Sequence, residues 1–292
     1  MTPPDSGVAP CEAPGSPNPQ ASSVQAEVGY VHRPDVPAFA YMYEPEPGVP
    51  RENYQADLRR VRITDARTLA DCPGLHIHGF GLWDAPTGAD FGDGNSIRAT
   101  YYPECLELAL SATGASHGYV FDHLVRRREP GRPQLAFGRH GDGRSPAAVG
   151  RVHNDYSEAS GLRRLRLVLG ESGTPAVSRF AIVNIWRSIG GPVVDTPLAV
   201  CDARTVSAAD TVLTTIKYQD RTGEIYLFEH AERHRWYYYP RMDRHEALMF
   251  KQYDSQLSGI ARMTPHVAFD LPDVPADAPL RQSIEVRCLV VF

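Results

Sequence analysis

A histidine and an aspartate stand two residues apart at His153 and Asp155, within the segment RVHNDYS (151–157). On a β-strand such a pair shares one face, because side chains alternate between the two faces. A neutral imidazole and a carboxylate placed in this way can occupy two adjacent corners of one metal ion. A second histidine from elsewhere would complete the two-histidine, one-carboxylate ligand set of non-haem Fe(II) oxygenases. By itself the pair is a weak signal, and a solvated turn is the alternative interpretation.

A second pattern near the C-terminus strengthens the metal interpretation. TPHVAF (264–269) is followed by Arg281 and Ser283. In a double-stranded β-helix, the distal histidine lies near the end of a late strand, and an arginine on the next strand reaches the same cavity. The guanidinium fork binds a carboxylate through two hydrogen bonds, and a hydroxyl two residues later shares the strand face. His266 is therefore the candidate third ligand, and Arg281 with Ser283 has the right chemistry for the distal carboxylate of 2-oxoglutarate.

The elements around these residues are mostly strands. Alternating apolar and polar side chains predict strands at 58–66, 75–83, 117–128, 162–170, 179–189, 210–218, 224–230, 235–240, 246–255 and 281–292. One helix is predicted over 103–114, opened by Pro103 and ended by Gly114. Many strands with few helices predict a β-rich α+β fold, a double-stranded β-helix or jelly roll resembling the cupins, with helices packed outside.

Composition and charge limit the function classes. The 292 residues carry 30 basic and 35 acidic side chains, a net charge of −5, which argues against a protein built to hold nucleic acid. No apolar run is long enough to span a bilayer, and the N-terminus lacks the features of a signal peptide, so we expect a cytoplasmic protein without a membrane partner. Residues 1–25 are rich in Pro, Ser and Ala and predict a disordered tail, 129–150 predicts a loop, and 26–292 predicts a single domain.

Six segments together resemble one known family. They are VHNDYS (152–157), NIWRSIGGPVVDTPLAVCDARTV (184–206), RWYYYPRM (235–242), EALMFKQYDS (246–255), TPHVAFD (264–270) and RQSIEVR (281–287). In this order they are similar to the CmcJ-like family, which includes the asperfuranone-type and gibberellin-type hydroxylase/desaturases. Two positions depart from the family pattern, Ser188 after Trp-Arg and Gln282 after Arg281, and neither is a proposed ligand.

The resemblance implies an Fe(II)/2-oxoglutarate-dependent dioxygenase that uses O2 to hydroxylate, desaturate or cyclise a small natural-product or amino-acid-derived substrate. It implies His153, Asp155 and His266 as the iron ligands. It implies Arg281 and Ser283 as the 2-oxoglutarate site.

Further candidates come from the strand patterns. Asn184 and Trp186 share one face of a strong strand and Arg187 lies on the other, so Asn184 could bind the co-substrate, or both could be core residues. Arg287 shares a face with Arg281 and is the alternative anchor for 2-oxoglutarate. The candidates for substrate contact are Tyr156, Trp186, Arg187, Lys251, Tyr253 and Arg287.

Alternatives to the oxygenase interpretation remain open at this point. They are a non-catalytic partner subunit of a two-protein system, a cupin-like metalloenzyme that does not use 2-oxoglutarate, and a β-rich binding protein. A homodimer or a heteromeric partner enzyme is an open possibility for assembly. The sequence has no zinc-protease HExxH, no P-loop, and no GxSxG elbow.

Overall fold

The fold is known from a computed structural model that describes residues 22–131, 135 and 148–292. In chain order its strands are β1 (Ser23–His32), β2 (Ala38–Tyr41), β3 (Gln55–Asp65), β4 (Phe80–Asp84), β5 (His117–Arg127), β6 (His153–Asn154), β7 (Phe180–Ser188), β8 (Leu198–Cys201), β9 (Thr211–Lys217), β10 (Thr222–Phe228), β11 (Trp236–Tyr238), β12 (Glu246–Asp254), β13 (His266–Ala268) and β14 (Gln282–Val291). The α-helices are α1 (Gly94–Ser96), α2 (Tyr102–Thr113) and α3 (Glu158–Gly173), with a π-helical turn Ile97–Tyr101 before α2.

The strands form two sheets. The larger sheet has the order β1-β3-β11-β8-β13-β6-β10-β9-β2, and the smaller has the order β4-β12-β7-β14-β5. Trp186 and Leu248 of the smaller sheet share a hydrophobic cluster with Leu198 and Val200 of the larger one, so the sheets pack face to face. This curled two-sheet arrangement with few helices confirms the predicted double-stranded β-helix.

The other face of the smaller sheet is covered by α2. Cys105 and Leu108 of the helix pack on alternate residues of the central strands, such as Val183 and Val286. The helix ends at Gly114, whose φ of 71° places it in the left-handed region that favours glycine. Since successive strand residues point to opposite faces, residues 182, 184 and 186 are left to face the larger sheet.

Two predicted elements are wrong. Residues 162–170 form part of α3, not a strand: Ser157 caps the helix reciprocally with Ser160, and only Leu165 of the four leucines is fully buried. Of the predicted strand 75–83, only Phe80 onward is extended, because 75–78 form a turn in which Gly74 N–H donates to His78 Nδ1 at 3.0 Å.

The predicted N-terminal tail and central loop fall largely outside the described residues. Strand β1 already begins at Ser23, inside the predicted tail, and pairs along its whole length with β3. Strand β1 is absent from the predicted strands. The short strands β2, β6, β8 and β13 are absent too, because two to four residues show no usable alternation. The remaining strand predictions agree with the structure to within a few residues.

Candidate metal centre

Three predicted ligands converge in the middle of the larger sheet. Strands β6 and β13 are neighbours, and His153 pairs directly with His266, so the two rings lie 4.2 Å apart between centroids. Asp155 follows β6 at once, and its Oδ1 is 3.6 Å from Nε2 of His153. One ligand atom from each of the three residues lies within 4.8 Å of the other two. This spacing fits three corners around one metal ion.

Backbone carbonyls set the orientation of both imidazoles. His153 Nδ1 lies 2.7 Å from the carbonyl oxygen of Arg151, and His266 Nδ1 lies 3.3 Å from that of Thr264. A hydrogen on Nδ1 donates to each carbonyl and fixes Nε2 as the nitrogen that can bind a metal. Burial, together with the neighbouring His266, lowers the pKa of His153 to about 3, and burial lowers the pKa of His266 to about 4. Both rings are therefore neutral at pH 7, as metal binding requires.

Asp155 is held by one of its two oxygens. Oδ2 accepts from Asn184 Nδ2 at 3.0 Å and from Arg287 Nε at 3.2 Å, whereas Oδ1 points towards His153. Burial alone would raise the pKa of Asp155, but the Arg287 guanidinium, the two imidazoles and the Asn184 hydrogen bond together outweigh it and hold the pKa well below its usual range. Asp155 is thus an ionised carboxylate with one oxygen directed at the candidate metal position.

Gln252 lies next to both parts of the ligand set. Its Oε1 accepts the backbone N–H of Asp155 at 2.8 Å, and its Nε2 lies 3.5 Å from His266 Nδ1. The register of β12 against β7 shifts between Lys251 and Tyr253, so Gln252 is the extra residue of a β-bulge. Sequence reasoning missed Gln252, because an alternation pattern does not show where a bulge inserts a residue.

A wall of polar atoms without hydrogen-bond partners lies beside the metal position. Among the described residues, the buried atoms Arg281 Nε, Ser283 Oγ, Trp186 Nε1 and Asn184 Oδ1 have no partner. They occupy neighbouring positions on β7 and β14 or just before β14, and Arg281 lies 5.7 Å from the centre of the Trp186 ring. Buried polar groups are normally hydrogen-bonded, so this wall fits a polar ligand, and three of its atoms are donors suited to a carboxylate.

Arg281 is the buried cation of this wall. It is 3% exposed, its NH1 donates to the carbonyl oxygen of Thr196 at 3.0 Å, and it forms no ion pair within 4.0 Å among the described residues. Burial lowers the pKa of Arg281 to about 10, which still leaves it charged at pH 7. A buried charge is costly unless it is paired, so an anion bound here would relieve that cost.

Arg287, the alternative anchor for 2-oxoglutarate, already forms ion pairs with three carboxylates. Its three nitrogens contact Asp155 at 3.2 Å, Asp122 at 3.0 Å and Glu285 at 2.8 Å. These contacts make Arg287 a support of Asp155, the candidate metal ligand, rather than an open site for another anion. The structure therefore favours Arg281 over Arg287 as the residue that could hold 2-oxoglutarate.

An open cleft leads to the candidate metal centre. Two adjoining cavities of about 350 and 360 Å³ share Asp155, Arg287 and a set of other residues. The shared residues, which define the entrance cleft, are Asp122, Asp155, Ile216, Tyr218, Arg221, Ile225 and Arg287. Tyr156, a candidate for substrate contact, lines one of the two cavities. Ile216, Tyr218 and Ile225 were not singled out from the sequence, because apolar strand residues usually pack in a core.

Four predicted substrate residues do not line this cleft. Arg187 lies on the α2 side of the smaller sheet, where its Nε donates to the hydroxyl of Tyr101 at 3.0 Å. Lys251 is fully buried and its Nζ contacts Asp254 at 2.7 Å. Tyr253 donates its hydroxyl to Glu158 and lines a separate cavity of about 300 Å³. Trp186 lies on the Arg281 wall instead of at the entrance.

The fold and the candidate site together define a class of protein. Two neutral histidines and one ionised carboxylate on a double-stranded β-helix are the ligand set of the non-haem Fe(II) oxygenases. The supporting contacts from backbone carbonyls, Asn184 and Arg287 are those expected around such ligands.

Comparison with known proteins agrees with this class. The family model described as "Oxidoreductase/YMDC permease-like domain" matches residues 28–291. The Fe(II)/2-oxoglutarate-dependent dioxygenase nvfI of Aspergillus novofumigatus is 31% identical over 86% of this chain and 89% of that protein. The hydroxylase/desaturase CTB9 of Cercospora beticola is 31% identical over 84% of this chain and 79% of its own length. The solved structure of the iron and alpha-ketoglutarate-dependent endoperoxidase NvfI matches with a TM-score of 0.79 and 27% identity, covering 92% of this chain and 98% of that one.

The chain belongs to this family of Fe(II)/2-oxoglutarate-dependent oxygenases. The predicted family, the enzyme class and the cofactors Fe(II), 2-oxoglutarate and O2 are thereby confirmed. A substrate that is a small molecule is consistent with this family. Among the described helices, none has the length and apolar character needed to cross a membrane.

Proposed function

We propose that His153, Asp155 and His266 hold Fe(II) and that Arg281, Ser283 and Asn184 form the 2-oxoglutarate side of the site. The observation that carries the proposal is the convergence of the three ligand atoms within 4.8 Å, with each histidine oriented by a backbone carbonyl. Fe(II) with 2-oxoglutarate and O2 would supply the oxidation of an unactivated C–H bond, giving hydroxylation, desaturation or cyclisation. In this role Asn184 acts mainly through Asp155, to which its amide donates.

The protein's own contribution is positioning. Arg287 and Asn184 occupy one oxygen of Asp155 and leave the other for the metal, which favours binding through a single oxygen. Arg281, Ser283 and Trp186 offer donors to a carboxylate at the closed end of the site, away from the entrance cleft. A co-substrate held there leaves the cleft free for the substrate to be oxidised.

The wider organisation follows from the packing. Side chains of both sheets share one core cluster, which supports a single domain over residues 26–292. A cytoplasmic location and a homodimer or heteromeric assembly stay predictions from the sequence.

The test is an anaerobic titration with Fe(II) and 2-oxoglutarate, read by the visible charge-transfer absorbance of the chelate. We expect absorbance in the wild type, none in His153→Ala, and normal absorbance in His245→Ala, whose side chain is 61% exposed and outside the site. Arg281→Lys should weaken 2-oxoglutarate affinity about tenfold, the cost of a lost bidentate pair, while Fe(II) affinity is kept. A folded wild type without absorbance would contradict the proposal.

A further inference from the structure

Besides Arg287, four arginines line the two cavities beside the metal centre: Arg126, Arg163, Arg164 and Arg221. Arg164 and Arg221 differ from the other two because each stacks on an aromatic ring. Arg164, on α3, and Arg221, in the turn between β9 and β10, line the same cavity as Asp155. Neither forms an ion pair within 4.0 Å with a carboxylate of the described residues. The two acids that line both cavities, Asp155 and Asp122, contact Arg287 instead.

Arg164 differs from an ordinary solvated helix arginine. It is half-buried, its guanidinium lies 4.5 Å from the centre of the Phe121 ring, and its buried Nε has no hydrogen-bond partner among the described residues. Its helical neighbours Arg163 and Arg166 are exposed. Stacking on Phe121 fixes the plane of the guanidinium in the cleft wall, which lowers the entropy lost when a planar anion binds.

Arg221 is held in a similar way. Its guanidinium lies 4.0 Å from the centre of the Tyr218 ring, which itself lines the entrance cleft. Glu224, an acid of the same cavity, already accepts a hydrogen bond from Ser157 Oγ at 2.8 Å. The cavity wall therefore presents two ring-stacked cations whose own chain supplies no carboxylate partner in the described part.

Apolar side chains lie beside these cations, among other polar and charged residues of the two cavities. Ile216 and Ile225 line both cavities, Met42 and Leu124 line the one that contains His153, and Leu167 lines the other. Sites that bind small molecules combine apolar surface with a small number of placed polar groups, and Ile216 and Ile225 supply such a surface next to the two arginines. The arrangement calls for a ligand with an apolar body and an anionic group.

We infer that the substrate of this enzyme carries a carboxylate, that Arg164 and Arg221 bind it at the cleft wall, and that the apolar body lies along Ile216 and Ile225 towards the metal centre. This inference rests on the proposed function, since it names the substrate class of the same site. It assigns Arg164 and Arg221 as residues that determine specificity.

The test uses two probes with the same naphthalene ring, 2-naphthoate and its neutral amide 2-naphthamide. Their affinities are measured by equilibrium dialysis under anaerobic conditions, with Fe(II) and saturating 2-oxoglutarate bound, so that the Arg281 wall is occupied. The wild type should bind naphthoate about tenfold more tightly than naphthamide, the preference expected of a charge-assisted hydrogen bond. Arg164→Gln and Arg221→Gln should each bring this ratio close to one, whereas Arg60→Gln, an exposed arginine on β3, should leave it unchanged.

The ratio separates recognition of the anion from general damage, because a distorted cleft weakens both probes alike. Arg164→Lys, which keeps the charge, should retain part of the preference. Equal affinities in the wild type, no binding of either probe, or a preference kept in both glutamine variants would overturn the inference. The charge-transfer absorbance of the same samples reports on the proposed function separately, so failure of one can be told from failure of the other.

Discussion

Asp155 and Asp254 are two carboxylates with cationic partners, and they differ in how many of their oxygens are occupied. Asp254 is fully buried, and both oxygens are used: Arg179 contacts Oδ1 and Oδ2, Lys251 contacts Oδ2, and Gln256 N–H donates to Oδ1. Asp155 is 17% exposed, and its two charged or amide donors both bind Oδ2.

The difference separates a structural carboxylate from one built to bind a ligand. A saturated carboxylate has no acceptor position left and serves to join the elements around it. A carboxylate with one oxygen directed at two neutral histidines is prepared for a metal. Both depend on arginine for ionisation, so charge pairing alone would not have distinguished them.

The strongest test of the structural carboxylate is Asp254→Asn. Loss of one partner from a buried pair leaves Lys251 uncompensated, so we expect the free energy of unfolding to fall by about 3–5 kcal/mol. The measurement is urea unfolding of the metal-free protein, with the exposed Asp277→Asn as control. Fe(II) affinity of the folded variant should stay within about twofold of the wild type, a negligible change in binding free energy.

The stability difference between the wild type and Asp254→Asn should also follow a defined pH dependence. Burial opposes ionisation of Asp254, but the hydrogen bond from Arg179 and the contact with Lys251 outweigh it and lower the pKa below the ordinary 3.8. The stabilisation is therefore complete above pH 3.8 and is lost as pH falls through the lower, folded-state value. The stability difference between wild type and Asp254→Asn should be constant from pH 7 to 5, and a decline within that range would contradict this assignment.

Asp155→Asn should instead affect Fe(II) binding more than stability, because Asp155 is the proposed metal ligand. Removal of the charged ligand should lower Fe(II) affinity by at least ~100-fold, about 2.7 kcal/mol. Metal-free stability should fall by less than in Asp254→Asn, because Arg287 keeps Glu285 and Asp122 as partners. Equal loss of stability in the two variants would remove the distinction between them.

A smaller effect is expected for Arg287→Lys. An ammonium cannot reproduce the three-sided contact with Asp155, Asp122 and Glu285, so Asp155 is held less firmly. We expect Fe(II) affinity to fall by about tenfold, at the low end for residues that orient a metal ligand. The measurement is the same Fe(II) titration, with Arg60→Lys as control, and an unchanged affinity would show that Asn184 alone positions Asp155.

The candidate site was predicted from the chemistry of particular residue types, and not from hydrophobic periodicity. His153 and His266 lie on strands of two and three residues, too short to show a pattern, yet their residue types indicated a shared metal. Arg281 and Ser283 were predicted from the same reasoning and from the family resemblance, and the structure places both on one polar wall.

Periodicity failed where two patterns coincide. Leu165, Leu167 and Leu169 alternate like strand residues, but the capping box that begins at Ser157 and the helix-forming Leu and Arg residues favour α3. Contacts between distant segments, such as Arg287 with Asp155, could not be derived from spacing, because they depend on how the two sheets face each other.

The bulge in β12 links the two carboxylates compared above. In a regular strand, residues three apart point to opposite faces, and Lys251 could not reach Asp254. The extra residue Gln252 brings Lys251 and Asp254 onto the same face, where they form the ion pair. The Gln252 side chain lies on the opposite face, where it accepts the backbone N–H of Asp155 and lies close to His266. The number of residues in β12 therefore matters separately from which residues they are. A chain one residue shorter here could keep every hydrophobic side chain and still lose both the buried ion pair and the amide beside the proposed metal ligands.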